Sequence, residues 1–179
     1  MNWTMIAEQC IGCGGLFPRM EGATHPYLQS SPGCAEACGR LFAHHYEQME
    51  VFGDVYRLAN DAYAVQHPGQ PCRQTINSAG IHLIRLCLTI EHGLPASHAN
   101  AAVLAAGQRK EDYWWLEPPT FKGAITVADF EEVMPLEDHR KLLRSWAEAA
   151  WEAWAAHHDT IRRWLPAEWK RQQARERRV

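Results

Sequence analysis

The sequence predicts an all-α fold, a helical bundle that follows a cysteine-rich, zinc-knuckle-like N-terminal segment. Apolar residues recur at three- and four-residue spacing through most of the chain after residue 33, and no run is typical of a strand pair. Cysteine, glycine and proline concentrate in residues 1–33, which we call the knuckle. We expect one globular domain over 1–169, in which residues 34–165 form the bundle, and a basic tail over 170–179.

The composition excludes several classes of protein. The chain has 179 residues, of which 46% are hydrophobic, and a net charge of -3, so a buried core is expected and disorder is not. A net negative charge gives no electrostatic basis for binding nucleic acid. No apolar run is long enough to span a membrane. The N-terminus lacks the pattern of a signal peptide. A cytoplasmic protein with reduced thiols is therefore predicted.

The first two helices follow the knuckle. Ser31 and Pro32 are typical of a helix start, and the apolar stripe continues to about residue 50. A second helix is predicted from about residue 54 to Gln66, where Pro68 and Gly69 end the pattern.

Three further helices and an irregular stretch complete the predicted bundle. The third helix covers about 74–91 and the fourth about 99–106. Residues 107–125 have no regular period, and Thr126 with Asp129 can cap a short helix after them. The last helix is expected to run without a break over about 136–165.

The knuckle contains the most specific motif of the chain. Cys10 and Cys13 form a C-x-x-C pair that can hold one Zn²⁺, and tetrahedral zinc needs two more ligands. Cys34 and Cys38 lie one helical turn apart and can supply them, while His25 is the alternative fourth ligand. Four protein ligands indicate a structural ion; the alternative is that the second cysteine pair is simply buried in the core.

A second group of polar residues falls on the apolar faces of the predicted helices. Asp61 lies within the stripe of its helix, and burial of an unpaired carboxylate is costly, so we expect a partner among Arg85, His82 and His157. One interpretation is a structural network that fixes the packing of the helices. The other is a polar cleft in which histidines hold a metal or act as acid and base.

The cleft interpretation assigns candidate roles. The candidate catalytic residues are Asp61, His82, Arg85 and His157. A second metal or ligand site would consist of His67, His82, His157 and His158. In this hypothesis Arg85 holds an anionic group of a small-molecule ligand. The alternative function is a non-catalytic, zinc-stabilised interaction module that binds a protein or nucleic acid through its knuckle and basic tail.

Several motifs occur together in a fixed order along nearly the whole chain. They are C-x-x-C-G near the start, His25-Pro26-Tyr27, Ser31-Pro32-Gly33-Cys34, DAYAVQHPG over 61–69, HLIRLC over 82–87, WLEPP over 115–119, and WEAW over 151–154 before His157-His158. In this order the sequence resembles a family of small uncharacterised bacterial proteins, classed as a domain of unknown function. The resemblance implies a compact domain with a cysteine knuckle. Cys38 is not among the motif positions, so the resemblance favours His25 as the fourth ligand.

Overall fold

The computed structural model of the chain describes residues 6–130, 133–167 and 169. Most of these residues are helical, and none of the helices they form is long and apolar enough to cross a membrane. The α-helices are α1 (Pro32–Glu47), α2 (Met49–Phe52), α3 (Tyr56–Gln66), α4 (Arg73–Leu86), α5 (Ala96–Gly107), α6 (Leu136–Ala153) and α7 (His158–Trp164). The predicted basic tail, 170–179, lies outside the described residues.

The knuckle contains a two-stranded sheet, so the prediction that no strands are present is wrong. Strands β1 (Ala7–Gln9) and β2 (Leu16–Pro18) pair antiparallel, with Glu8 opposite Phe17. Each strand has only three residues, too few to show an alternating pattern in the sequence. Phe17 is the buried residue of β2 and anchors the hairpin on the helices. The fold is therefore a mostly helical one that carries a small hairpin.

The predicted start of the first helix is confirmed, but its end is earlier than expected. The Ser31 hydroxyl accepts a hydrogen bond from the Cys34 backbone N–H at 3.3 Å, and Pro32 occupies the first turn. The backbone leaves the helical conformation at Gln48, where φ is -121° and ψ is 45°. The short α2 follows this break, so two helices replace the single helix predicted to about residue 50.

The central helix of the bundle is α3, which packs against α4 on one side and α6 on the other. The fully buried side chains of these two helices include Leu83 and Ile84 of α4 and Trp146 of α6. The C-terminal end of α4 continues as a π-helical turn, Cys87–Glu91. Helix α4 and this turn together correspond to the third helix predicted from the sequence. Because α3 is enclosed on two sides, its polar residues must find partners within the protein.

The last predicted helix is divided into two. Helix α6 ends at Ala153, a 3-10 turn spans Ala155–His157, and α7 begins at His158. Trp154 lies at the break, fully buried, and its indole N–H donates to the Val65 carbonyl at 3.2 Å. The apolar period continues across the break, which explains why the sequence indicated one helix.

Gln66, the last residue of α3, fixes the irregular stretch to the bundle. Its side chain is fully buried, and its Nε2 donates to the carbonyls of Lys122 and Ile125 at 2.9 and 2.8 Å. Its Oε1 accepts from the Trp146 indole N–H at 2.9 Å. After this segment, Thr126 caps a 3-10 turn, Val127–Asp129, as the sequence predicted. One amide thus satisfies three buried groups from two separate segments.

We expect Gln66→Leu to lower the free energy of unfolding by about 3 kcal/mol, because it removes the partner of the buried Trp146 indole N–H and of two partly buried carbonyls. Urea unfolding followed by circular dichroism measures this value. Gln108→Leu is the matched control, since Gln108 is exposed and its replacement should change the stability by less than about 0.5 kcal/mol. Equal effects of the two substitutions would contradict the role assigned to Gln66.

Candidate metal centre

Four potential metal ligands come together between the hairpin and the helices. They are the side chains of Cys10, Cys13, Cys34 and His67, whose ligand atoms all lie within 4.8 Å of one another. All four residues are buried. Three thiols and one imidazole are a ligand set typical of tetrahedral metal sites in proteins.

The C-x-x-C segment forms the turn at the tip of the hairpin. The Cys10 N–H donates to the Gly15 carbonyl at 2.8 Å, and the Gly14 N–H donates to the Cys10 carbonyl at 2.9 Å. Gly12 must be glycine for steric reasons, because a Cβ there would lie 2.3 Å from the Gln29 carbonyl oxygen and from Cδ2 of His67. The turn therefore brings both thiols against the imidazole.

Cys34 supplies the third thiol from the first turn of α1. Its Sγ lies 3.3 Å from Nε2 of His67 and 3.9 Å from Sγ of Cys13. The start of α1 is tied to the same cluster, since the Ser31 N–H donates to the Cys10 sulfur at 3.4 Å. The helix cap that begins α1 thus also sets the position of the third ligand.

The tautomer of His67 is fixed by a single hydrogen bond. His67 follows directly after α3, and its Nδ1 lies 2.6 Å from the Tyr63 carbonyl oxygen. Because a carbonyl oxygen only accepts, Nδ1 carries the proton and Nε2 has a free lone pair. That lone pair faces the three thiols, which is the arrangement found for metal-bound histidines.

The three thiols cannot all ionise easily in this space. Hydrogen bonds from Cys13 and Cys34 lower the pKa of the Cys10 thiol. The same contact with Cys10 raises the pKa of Cys13 to about 11, and contacts with Cys10 and Cys13 raise the pKa of Cys34. Ionisation of one thiol therefore opposes ionisation of the other two, whereas a divalent cation would stabilise all three thiolates.

Neither of the residues predicted as the fourth ligand belongs to this group. Cys38 is buried, but it lies one turn beyond Cys34, about 6 Å further along the axis of α1. His25 is exposed, and its ring contacts Tyr27. The fourth member of this group is His67, which the sequence predicts as part of the second metal or ligand site.

A backbone contact explains how His67 reaches the knuckle. Leu28 forms an isolated antiparallel bridge with Pro68, and the Gln29 N–H donates to the His67 carbonyl at 3.1 Å. The chain from residue 27 to 29 thus runs beside the end of α3. Helix periodicity contains no information on this pairing; the only signal in the sequence is a histidine placed directly before Pro-Gly.

The structure also brings together three of the four predicted catalytic residues. The Asp61 carboxylate is fully buried, and its Oδ1 lies 2.7 Å from Nδ1 of His82 and 2.9 Å from a terminal nitrogen of Arg85. Oδ2 of Asp61 and Nε of Arg85 are buried without hydrogen-bond partners in the part of the chain that the structure describes. His82 keeps 24% of its side chain exposed.

The other predicted histidines lie elsewhere. His157 Nε2 donates to the Glu117 carbonyl at 2.8 Å, far from the partners expected for it. His158 stacks on Trp151 and donates to its carbonyl at 3.0 Å. No group of three close ligand atoms among the described residues contains His82, His157 or His158, so the structure does not assemble the predicted second metal site.

A further trio of potential ligands, Cys87, Glu91 and His92, lies at the π-helical turn. Arg162 donates to both carboxylate oxygens of Glu91, at 2.6 and 3.0 Å, and these bonds lower the pKa of Glu91. The carboxylate is thus already neutralised by an arginine. This trio has an evident structural role in joining α7 to the turn.

Comparison with known proteins supplies a family but no activity. No curated protein and no solved structure matches the chain. A family model, described as a family of unknown function (DUF5946), matches residues 8–155, a range that includes all four residues of the candidate metal centre and the Asp61 cluster. The chain therefore belongs to the DUF5946 family.

Proposed function

We propose that this protein binds one Zn²⁺ through Cys10, Cys13, Cys34 and His67. The observation that carries the proposal is the bond from His67 Nδ1 to the Tyr63 carbonyl, because it directs the free Nε2 lone pair toward three buried thiols. That nitrogen lies 3.3 Å from the Cys34 sulfur, in a position suited to be the fourth ligand of a tetrahedral zinc site. Zinc is favoured over harder cations, which prefer oxygen ligands.

The role we assign to the ion is structural. Four protein ligands leave no open position for a substrate or water. The ion would join the hairpin, the start of α1 and the end of α3, three segments that are distant in the sequence. When bound, the zinc supplies only charge and geometry, and the protein supplies burial and the fixed tautomer of His67.

Metal analysis of the full chain, purified without an affinity tag, tests the ligand set. We expect about one zinc per chain in the wild type and in Cys38→Ser, but loss of most of it in Cys34→Ser. In the same way, His25→Ala should retain zinc and His67→Ala should lose it. In each pair of variants, the same substitution is made at one residue inside the group of four ligands and at one residue outside it. Loss of zinc in Cys38→Ser with retention in Cys34→Ser would refute the assignment.

The structural role predicts a large effect on stability. Cys10→Ser should lower the free energy of unfolding by at least about 3 kcal/mol, because metal-binding energy contributes directly to folding. Cys72→Ser is the control, since Cys72 is exposed and outside the group, and its effect should stay below about 0.5 kcal/mol. A strong chelator should reduce the wild-type value toward that of Cys10→Ser. A zinc-free protein with unchanged stability would exclude a structural ion.

A second candidate function rests on the Asp61 cluster. The buried carboxylate orients His82 through Nδ1, which leaves the other ring nitrogen as a base on a partly exposed side chain. Oδ2 of Asp61 and Nε of Arg85 have no hydrogen-bond partner in the described part of the protein, so both atoms are available to a ligand. We propose a site for a small polar molecule here, with His82 as acid or base and Asp61 and Arg85 as positioning residues.

Reaction with diethyl pyrocarbonate, followed by mass spectrometry of peptides, tests the orientation of His82. Asp61→Asn removes the negative charge that supports the nucleophilic ring, and the modification of His82 should become several-fold slower. The exposed His25 is the internal control, and its rate should not change. The hypothesis fails if the His82 rate is unaltered. Unfolding of both Asp61→Asn and His82→Gln would instead identify a purely structural network.

A further inference from the structure

Two buried histidines outside the sites above face each other across the bundle. His45 lies in the last turn of α1 and His139 in the first turn of α6. Their Nε2 atoms are 2.8 Å apart, so one ring donates its N–H to the other. His45 is completely buried and His139 is 3% exposed. Neither residue belongs to the candidate metal centre or to the Asp61 cluster.

The surroundings of this pair are aromatic. The ring of Phe52 lies 4.8 Å from that of His45 and 4.9 Å from that of His139, and the ring of Phe130 lies 5.3 Å from that of His139. The described residues include no carboxylate bonded to either imidazole. No hydrogen bond to a carboxylate therefore offsets the effect of burial on these rings. Burial lowers the pKa of His45 to about 4 and also lowers the pKa of His139, and the nearby His44 adds to both shifts.

His139 connects the buried pair to a cavity of about 370 Å³. Besides His139, the side chains that line this cavity include Arg40, His44 and Glu47, together with the apolar Leu41 and Phe130. His45 is not part of the lining, so it lies behind His139 as seen from the cavity. The volume fits a small organic molecule.

The polar groups of the cavity favour an anion. Arg40, His44 and His139 can each carry a positive charge, whereas Glu47 is the one acidic residue in the described lining. Among the described residues, Arg40 forms an ion pair with Glu36, at 3.4 Å and on the surface, and such pairs contribute little free energy. Its guanidinium is thus available to a ligand.

We propose that this cavity binds a small carboxylate with an apolar body, and that His139 takes up a proton when the ligand binds. In this proposal the Nε2–H of His139 donates to Nε2 of His45 in the free protein, and the proton of the His45 ring is on Nδ1, which has no hydrogen-bond partner among the described residues. A proton from solvent then adds to Nδ1 of His139, which becomes an imidazolium. Its Nδ1–H donates to the ligand carboxylate, and its Nε2–H continues to donate to the neutral His45. Arg40 contributes a second positive charge, and Leu41 and Phe130 contact the apolar body.

The role of His45 in this arrangement is to position His139. An imidazolium needs two acceptors, and the cavity ligand supplies only one. Nε2 of His45 supplies the other from within the core, at a distance that the free protein already shows. The negative ligand offsets the burial that otherwise keeps His139 neutral. Binding and proton uptake are therefore coupled.

Benzoate and its neutral isostere benzamide are suitable probes for isothermal titration of the full-length protein. We expect benzoate to bind about tenfold more tightly at about pH 5.5 than at about pH 7.5, because the first condition favours protonated His139. Benzamide should bind weakly at both values. Arg40→Gln should weaken benzoate binding several-fold. His44 also lines the cavity, so His139→Asn should remove most of the dependence on pH, whereas His44→Asn should leave most of it in place.

His98→Asn is the matched control, because His98 is exposed and does not line the cavity. A direct readout is the titration of His139 by NMR, which should occur at a higher pH in the presence of benzoate; this measurement needs no variant. Equal binding of benzoate and benzamide, no binding of benzoate, or an unchanged titration of His139 would each overturn the proposal.

Discussion

The C-terminal end of α3 is the constraint on which the rest of the structure depends. Two consecutive residues there make contacts that join different parts of the protein. Gln66 binds the irregular stretch and Trp146, and His67 turns its ring toward the three thiols of the knuckle. The carbonyl of Tyr63 sets the tautomer of that ring. A small rotation of the last turn of α3 would displace the core and the candidate metal centre together.

The buried polar groups of the bundle are paired in two different ways. At Asp61 the buried carboxylate accepts hydrogen bonds from a guanidinium and an imidazole of the neighbouring α4. At His45 and His139 no carboxylate among the described residues is hydrogen-bonded to either ring, and burial lowers the pKa of both. The first arrangement supplies the buried charge with partners from the protein, whereas in the proposed cavity site the second would receive its partner from a negatively charged ligand.

The sequence predicted most helices because their apolar periods arise from burial of one face. It also identified Cys10, Cys13 and Cys34, since short spacing and a helix start place them locally. It did not place His67 beside these thiols, because the pairing of residues 27–29 with the end of α3 is a long-range contact between two irregular segments. Asp61, His82 and Arg85 were grouped correctly through helix faces. His157 was not, because the helix breaks at Trp154, and beyond the break His157 bonds to the Glu117 carbonyl instead.

The order of the ligands along the chain has a consequence for folding in the cell. Synthesis proceeds from the N-terminus, so Cys10, Cys13 and Cys34 emerge from the ribosome before His67 does. In the proposed zinc site, the three thiols would be available to a soft cation before α3 has emerged. Emergence of the end of α3 would then supply the imidazole and complete the proposed ligand set. Metal retention in this protein would thus report that the nascent chain has advanced past its central helix.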